Sequence, residues 1–194
     1  MGRIIKRTYK YIIPTPEELF ERFKIELTKR SQFLPESWTA SKPWTSLILD
    51  IFDKIGRYFG FTPRTEYLRL DQTWEIRFSD LSEIVLALEH ENTYRVDDIL
   101  NDELQKLLDI KAYLKVLVFY PEIPVHMQGN YFIYPEIQEK IRSCKIKIDD
   151  EIYIIISLVN VRNEGLLEVS ACSFDAEGNG KDLGAFQVKY TSID

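Results

Sequence analysis

The run Tyr113–Tyr120, YLKVLVFY, constrains the fold of this chain more than any other stretch. A strand with one wet face alternates apolar and polar residues, whereas this one is apolar on both faces apart from Lys115. Such a strand belongs in the middle of a sheet covered by helices on either side, so the chain is expected to be α/β. The first helices are legible from their own periodicity. Thr15 and Glu18 form a capping box with Pro16 at the first helical position, and Leu19, Phe20, Phe23 and Leu27 recur at helical spacing, which predicts a helix over 15–30. A second helix is predicted from about Trp44 to Tyr58 on the stripe Leu47, Ile48, Ile51, Phe52 and Ile55, with Gly56 and Gly60 helping to end it.

From Tyr67 the period falls to two. Leu68, Leu70, Trp74 and Ile76 alternate with Arg69, Asp71, Thr73 and Glu75, and a turn at SDLS leads into EIVLALEHE, so the two segments read as a hairpin with Trp74 in the core. A third helix is predicted over roughly Val96–Ala112, with Ile99, Leu100, Leu104, Leu107 and Leu108 on one side. After YLKVLVFY come a short helix at YPEIQEKIRSC and three strands, EIYIIISLVN, LLEVSACSF and GAFQVKY, joined by glycine-containing turns. No repeat or low-complexity segment divides the chain. The expected organisation is one domain over 1–194: an N-terminal helical extension (1–43), a core (44–120), and a helix plus β-rich C-terminal part (121–194).

Composition removes several classes of function. No apolar run approaches the roughly 18 residues that span a bilayer, and the apolar stretches of MGRIIKRTYKYIIP are too short for a signal peptide. The expectation is a soluble, intracellular, cytoplasmic protein with no membrane partner. His90 and His126 are the only histidines, which argues against a His-rich zinc site and leaves little room for Ser/His or Cys/His catalysis. Cys144 and Cys172, the only cysteines, are expected to be free and packed. The net charge of −6 speaks against indiscriminate nucleic-acid binding, although Arg3, Lys6, Arg7 and Lys10 and then Lys140, Arg142, Lys145 and Lys147 form two local basic clusters. The segment DAEGNGKD invites a calcium-loop reading, but Phe186 stands where the bidentate Glu is needed, and a hairpin turn is expected there.

Metal chemistry in this chain must therefore run on carboxylates. Glu89 and Glu91, two apart at the end of an apolar strand, project to one face while His90 points away. Hairpin pairing lets Asp71 face Glu89. Two like charges about 4 Å apart repel by roughly 4 kcal/mol at an effective dielectric near 20. The cluster must retain a proton or take up a hard divalent ion such as Mg²⁺ or Mn²⁺.

The order of parts is a helix, a strand with RLDQTW, a turn, a strand ending ALEHEN, a helix with ELQKLL and the apolar strand KVLVFY. This order resembles the core of the PD-(D/E)XK, or restriction-endonuclease-like, nucleases over about residues 44–120. The resemblance implies a restriction-endonuclease-like core, a central mixed sheet flanked by helices, with N-terminal helices and a β-rich C-terminal extension. It implies a nuclease that hydrolyses phosphodiester bonds in DNA with Mg²⁺ or Mn²⁺. Asp71 takes the metal-binding Asp position, Glu89 the first position of the D/E-x-K pair, and Glu91 stands where that family has its Lys. The resemblance thus implies an ion held by Asp71 and Glu89, with Glu91 as a further ligand or as the group that activates water. Lys106 is the natural candidate for a Lys that has moved to the following helix, and Glu66 for an accessory acid. Asn92 fits either a turn or a substrate contact, and the basic clusters would supply phosphate contacts. The spacing between the second helix and Tyr67 leaves little room for the first strand of such a core. The E-x-E departure keeps open an alternative: a nuclease-fold protein without cleavage, serving as a DNA-binding or assembly module. Cutting both strands of a duplex often uses a two-fold pair, so a homodimer joined through the strand-rich C-terminal third is a further expectation.

Overall fold

The computed structural model describes residues 3–4, 12–34, 41–78, 81–92, 95–121, 133–145, 150–161 and 165–190. The apolar run forms strand β6 (Leu114–Phe119), fourth of seven in one mixed sheet. Its companions are β3 (Thr62–Tyr67), β4 (Leu70–Phe78), β5 (Leu81–Glu91), β7 (Ile152–Val161), β8 (Leu166–Asp175) and β9 (Gly180–Lys189), lying in chain order across the sheet. Two short strands, β1 (Arg3–Ile4) and β2 (Ile12–Ile13), pair with each other alone. The β3–β4–β5 and β7–β8–β9 steps are antiparallel, while β5, β6 and β7 run parallel. Parallel neighbours need crossover segments, and these carry the helices of one face.

Among the described residues, α-helices flank the sheet: α1 (Pro16–Lys29), α2 (Ser41–Tyr58), the short α3 (Val96–Asp98), α4 (Leu104–Asp109) and α5 (Tyr134–Ser143). On one face Leu19, Phe23, Ile48, Phe52 and Ile55 of α1 and α2 meet Trp74, Leu86, Leu88, Val116, Val118, Ile154 and Ile156. On the other, Leu104, Leu107, Ile137 and Ile141 of α4 and α5 meet Ala87, Leu117, Phe119, Tyr153 and Ile155. Consecutive residues of β6 thus bury on opposite faces, and all six are buried, as its composition requires. The expected α/β class with a mixed sheet and flanking helices is what the chain adopts. The α1 capping box forms as read: Thr15 N–H donates to Glu18 Oε2 over 2.8 Å and Glu18 N–H to Thr15 Oγ1 over 3.2 Å. Trp74 is fully buried, and Cys144 and Cys172 are half-buried and not in a disulfide. Among the described residues no helix is long and apolar enough to cross a membrane.

Three sequence expectations need correction. A strand, β3, fills the interval between the second helix and Tyr67; it is an edge strand with Pro63 and shows no alternation of burial, which is why its pattern is silent. Gly56 does not end α2. It lies inside the helix, where an added Cβ would come within 2.8 Å of Trp74 Nε1, so its bare backbone seats the indole. The third helix is interrupted by a π-helical stretch, Ile99–Glu103, in which Leu104 N–H donates to Ile99 O.

Candidate functional site

The hairpin register places the acids. Thr73 pairs with Ala87 and Gln72 with Leu88, so the next pair along the ladder brings Asp71 against Glu89. The Asp71 carboxylate closes that end by accepting from the His90 backbone N–H over 2.8 Å. Leu86 and Leu88 belong to the α1–α2 core and Ala87 to the α4–α5 core, so Glu89 and Glu91 face α3–α4 while His90 faces α2. On the neighbouring strand Glu66 falls opposite Asp71, between the pairs Thr65–Gln72 and Tyr67–Leu70, and its field acts on the Asp71 carboxyl.

The following helix completes the cluster. Lys106 Nζ donates to Glu89 Oε2 over 3.2 Å and to Glu103 Oε2 over 2.6 Å. Glu103 also touches the carboxyls of Glu89 and Glu91. It is the site residue that sequence reasoning missed. Its spacing of three from Lys106 reads as an ordinary exposed helical ion pair, and only the π-helical stretch ending at Glu103 reveals its place.

Burial and crowding set the protonation pattern. The Glu89 side chain is 1% exposed, and its Oε1 meets no donor among the described residues. Burial, then contact with Glu103 and the field of Asp71, push its carboxyl up to about 10. Burial acts upward on Glu103 as well, but its contacts with Glu89 and Lys106 outweigh it and hold Glu103 below the ordinary value. The two acids therefore hold one proton between them, resident on Glu89. Burial also raises Asp71, opposed by the His90 amide. Burial acts downward on Lys106, yet its bond to Glu103 and the field of Glu89 raise it overall, so it stays cationic. Among the described residues no three acid, imidazole or thiol groups stand ready to ligate an ion. Oε2 of both Glu89 and Glu103 is engaged by Lys106, and Oδ2 of Asp71 by the backbone.

Other sequence candidates lie elsewhere. Asn92 Nδ2 donates to Thr45 Oγ1 over 2.9 Å and so ties the end of β5 to α2. His90 shares a 2.8 Å hydrogen bond with the Tyr120 hydroxyl, and burial pushes it down to about 3, so it is a neutral packing group. Lys140 ties α5 to Leu100 O and Asn101 Oδ1, both at 2.9 Å, and Arg142 reaches Glu177 O. Lys145 is exposed beside a cleft of about 400 Å³ between α4 and α5 that none of the clustered acids lines. Arg3 falls in β1, and Lys6, Arg7, Lys10, Lys147 and His126 lie outside the described residues. In the segment DAEGNGKD, Asp175 Oδ1 accepts from the backbone of Glu177 and Asn179, a self-satisfied turn.

No protein-family model matches the sequence, and no curated protein matches it.

Proposed function

We infer that this chain is a metal-dependent nuclease with a restriction-endonuclease-like core, acting on phosphodiester bonds in DNA. The observation that carries the reading is the convergence of Asp71, Glu89 and Glu103 with Lys106, assembled from two paired strands and the helix that follows them. The succession α2, β3, β4, β5, α3–α4, β6 supports the resemblance, and β3 occupies the interval in which the spacing left little room for a first strand.

The donors are of the type the implied ion takes, and Lys106 and the His90 amide must release the carboxyl oxygens they hold before an ion can enter. Glu89 presents a buried oxygen without a donor among the described residues, and its neighbours are carboxylates, the hard oxygens that Mg²⁺ and Mn²⁺ select. Asp71, Glu89 and Glu103 would hold the ion, with Glu91 beside them. When bound, such an ion polarises a phosphoryl oxygen and lowers the pKa of a bound water. The chain's own groups do the rest. Lys106 keeps its charge and offsets the negative charge that builds on a phosphate under attack. Glu89 must release its proton before it can act as a ligand, so cation and proton compete for the same oxygens.

The engagement of Glu89 and Glu103 by Lys106 also favours a second reading, the nuclease-fold protein that binds DNA without cutting it. Calorimetric titration of Mn²⁺ into the wild type and into Glu89→Ala, joined to cleavage assays on labelled DNA with Mg²⁺, Mn²⁺ or chelator, decides between them. Binding and cleavage that both vanish in the variant are expected. DNA binding without Mn²⁺ uptake or cleavage selects the second reading. A wild type with no Mn²⁺ uptake, no DNA binding and no cleavage overturns both.

A further inference from the structure

The turn that delivers Asp71 to the site is built from residues that fit it poorly. Tyr67 pairs with Leu70, so Leu68 and Arg69 alone form a two-residue hairpin loop, and both hold positive φ, 56° and 67°. Such a loop selects Asn-Gly or Gly-Gly, because a Cβ crowds the neighbouring carbonyl in that conformation. Glu66 is also left-handed, at φ 51°. Three non-glycine residues within four positions thus carry backbone strain immediately before Asp71.

Packing does not explain them. Leu68 is 53% exposed, and among the described residues only it and Tyr58 are large apolar side chains left so open. Arg69 is exposed as well and makes no side-chain hydrogen bond or ion pair among the described residues. The stem below is stiff by contrast. Arg64 stacks on Tyr67 with its guanidinium 3.8 Å from the ring centre and donates to Glu75 Oε1 over 2.9 Å. Strain of this kind persists where a side chain is needed for something other than stability.

Resting on the nuclease reading, we propose that the hairpin tip selects the substrate, with Leu68 wedged against an unpaired base and Arg69 on the adjoining phosphate. The substrate class is then DNA whose duplex opens beside the bond to be cut, at a fork, flap or frayed end. Leucine is among the apolar side chains that insert between base steps, and unstacking costs least where a base is already unpaired. Net charge points the same way. A chain at −6 gains little affinity from neutralising the backbone of an intact duplex, so contact with exposed bases must supply part of it.

The test compares wild type with Leu68→Asn/Arg69→Gly, which installs the residues this turn prefers. Thermal melting is read alongside binding and Mn²⁺-dependent cleavage of a labelled blunt duplex and the same duplex with a single-stranded flap. The variant is expected to melt at or above the wild-type temperature and to lose about tenfold in flap affinity, with blunt-duplex affinity changed less than about twofold. Should the variant melt lower, Leu68→Gly alone is read the same way. An unchanged flap preference overturns the role of the tip and leaves the nuclease reading standing. A wild type that neither binds nor cleaves either DNA overturns both. Glu89→Gln separates the two sites, since it should lose cleavage and keep the flap preference.

Discussion

Lys106 Nζ donates to Glu89 Oε2 over 3.2 Å, although the two residues stand 17 positions apart, one on α4 and the other near the end of β5. The same ammonium holds Glu103 one helical turn away. This cation and the proton held on Glu89 together reconcile two acids that would otherwise repel, at the sheet end where Asp71 and Glu91 are also brought in.

Lys106→Met keeps the aliphatic stem and removes the charge. Cleavage should fall by about 10²–10³-fold, the scale of losing one group that stabilises transition-state charge. Stability at about pH 8 should fall by about 1–2 kcal/mol, less than for a fully buried pair because Lys106 remains 37% exposed. Adding Glu103→Gln should restore most of the stability and none of the cleavage, measured by denaturant unfolding and single-turnover assays. Recovery of cleavage in the double variant would show that Lys106 acts only by neutralising Glu103.

The ion-free protein should lose stability on the alkaline side. Burial and its acid neighbours push Glu89 from an ordinary 4.5 up to about 10, so between those values the folded chain keeps a proton that the unfolded chain releases. Stability then falls as pH rises through that window. Burial pushes His90 from 6.5 down to about 3, which acts in the opposite sense and removes stability as pH falls below 6.5. In chelator, Glu89→Gln should flatten the decline above about pH 6.5 and steepen the loss below it, where Glu89 no longer offsets His90, read from melting temperatures between about pH 5 and 9. A parallel alkaline decline in both proteins would assign it to another group.

Gly56→Ala tests the seat of Trp74. Alanine is the better helix former by about 1 kcal/mol, yet its Cβ would stand 2.8 Å from Trp74 Nε1 and 3.0 Å from Pro63 Cγ. A net loss of about 1–3 kcal/mol is expected from overpacking. Trp74→Phe in the same chain should recover part of it, since the indole N–H has no partner among the described residues and its loss leaves no hydrogen bond broken. Unfolding free energies of the four chains give the coupling directly. A Gly56→Ala chain as stable as wild type would mean that the indole can shift at no cost.

What was legible follows from how local each signal is. The capping box at Thr15 and Glu18 needs only four residues, and the run in β6 announces burial on both faces by itself. Asp71 and Glu89 could be paired because a hairpin converts sequence order into register. β3 was silent because an edge strand with a proline and little burial leaves no period to read. Glu103 was hidden for a different reason: its neighbours along the chain make it look like half of a solvent ion pair, and only the packing of the π-helical stretch beside β5 shows that it faces buried acids. Lys115 was the largest misfit in the apolar run, and its partners Glu151 and Tyr153 come from the next parallel strand and the residue before it, which no local pattern announces.

That last group gives the most severe prediction for folding. Lys115 Nζ donates to Glu151 Oε2 over 2.7 Å and to the Tyr153 hydroxyl over 3.1 Å, while Tyr153 donates to Glu151 Oε1 over 2.7 Å. Both charged side chains are 1% exposed, so neither can turn to water if its partner is removed. Lys115→Met alone should cost about 3–5 kcal/mol, because it strands a buried carboxylate. Glu151→Leu alone should cost a similar amount by stranding the ammonium. The combination Lys115→Met, Glu151→Leu and Tyr153→Phe should lie within about 1–2 kcal/mol of wild type, since an apolar replacement of matching size removes the desolvation cost along with the attraction. Guanidinium unfolding of the single and combined variants measures this. Strictly additive losses would show that the three groups contribute independently and that their contact carries no coupling energy.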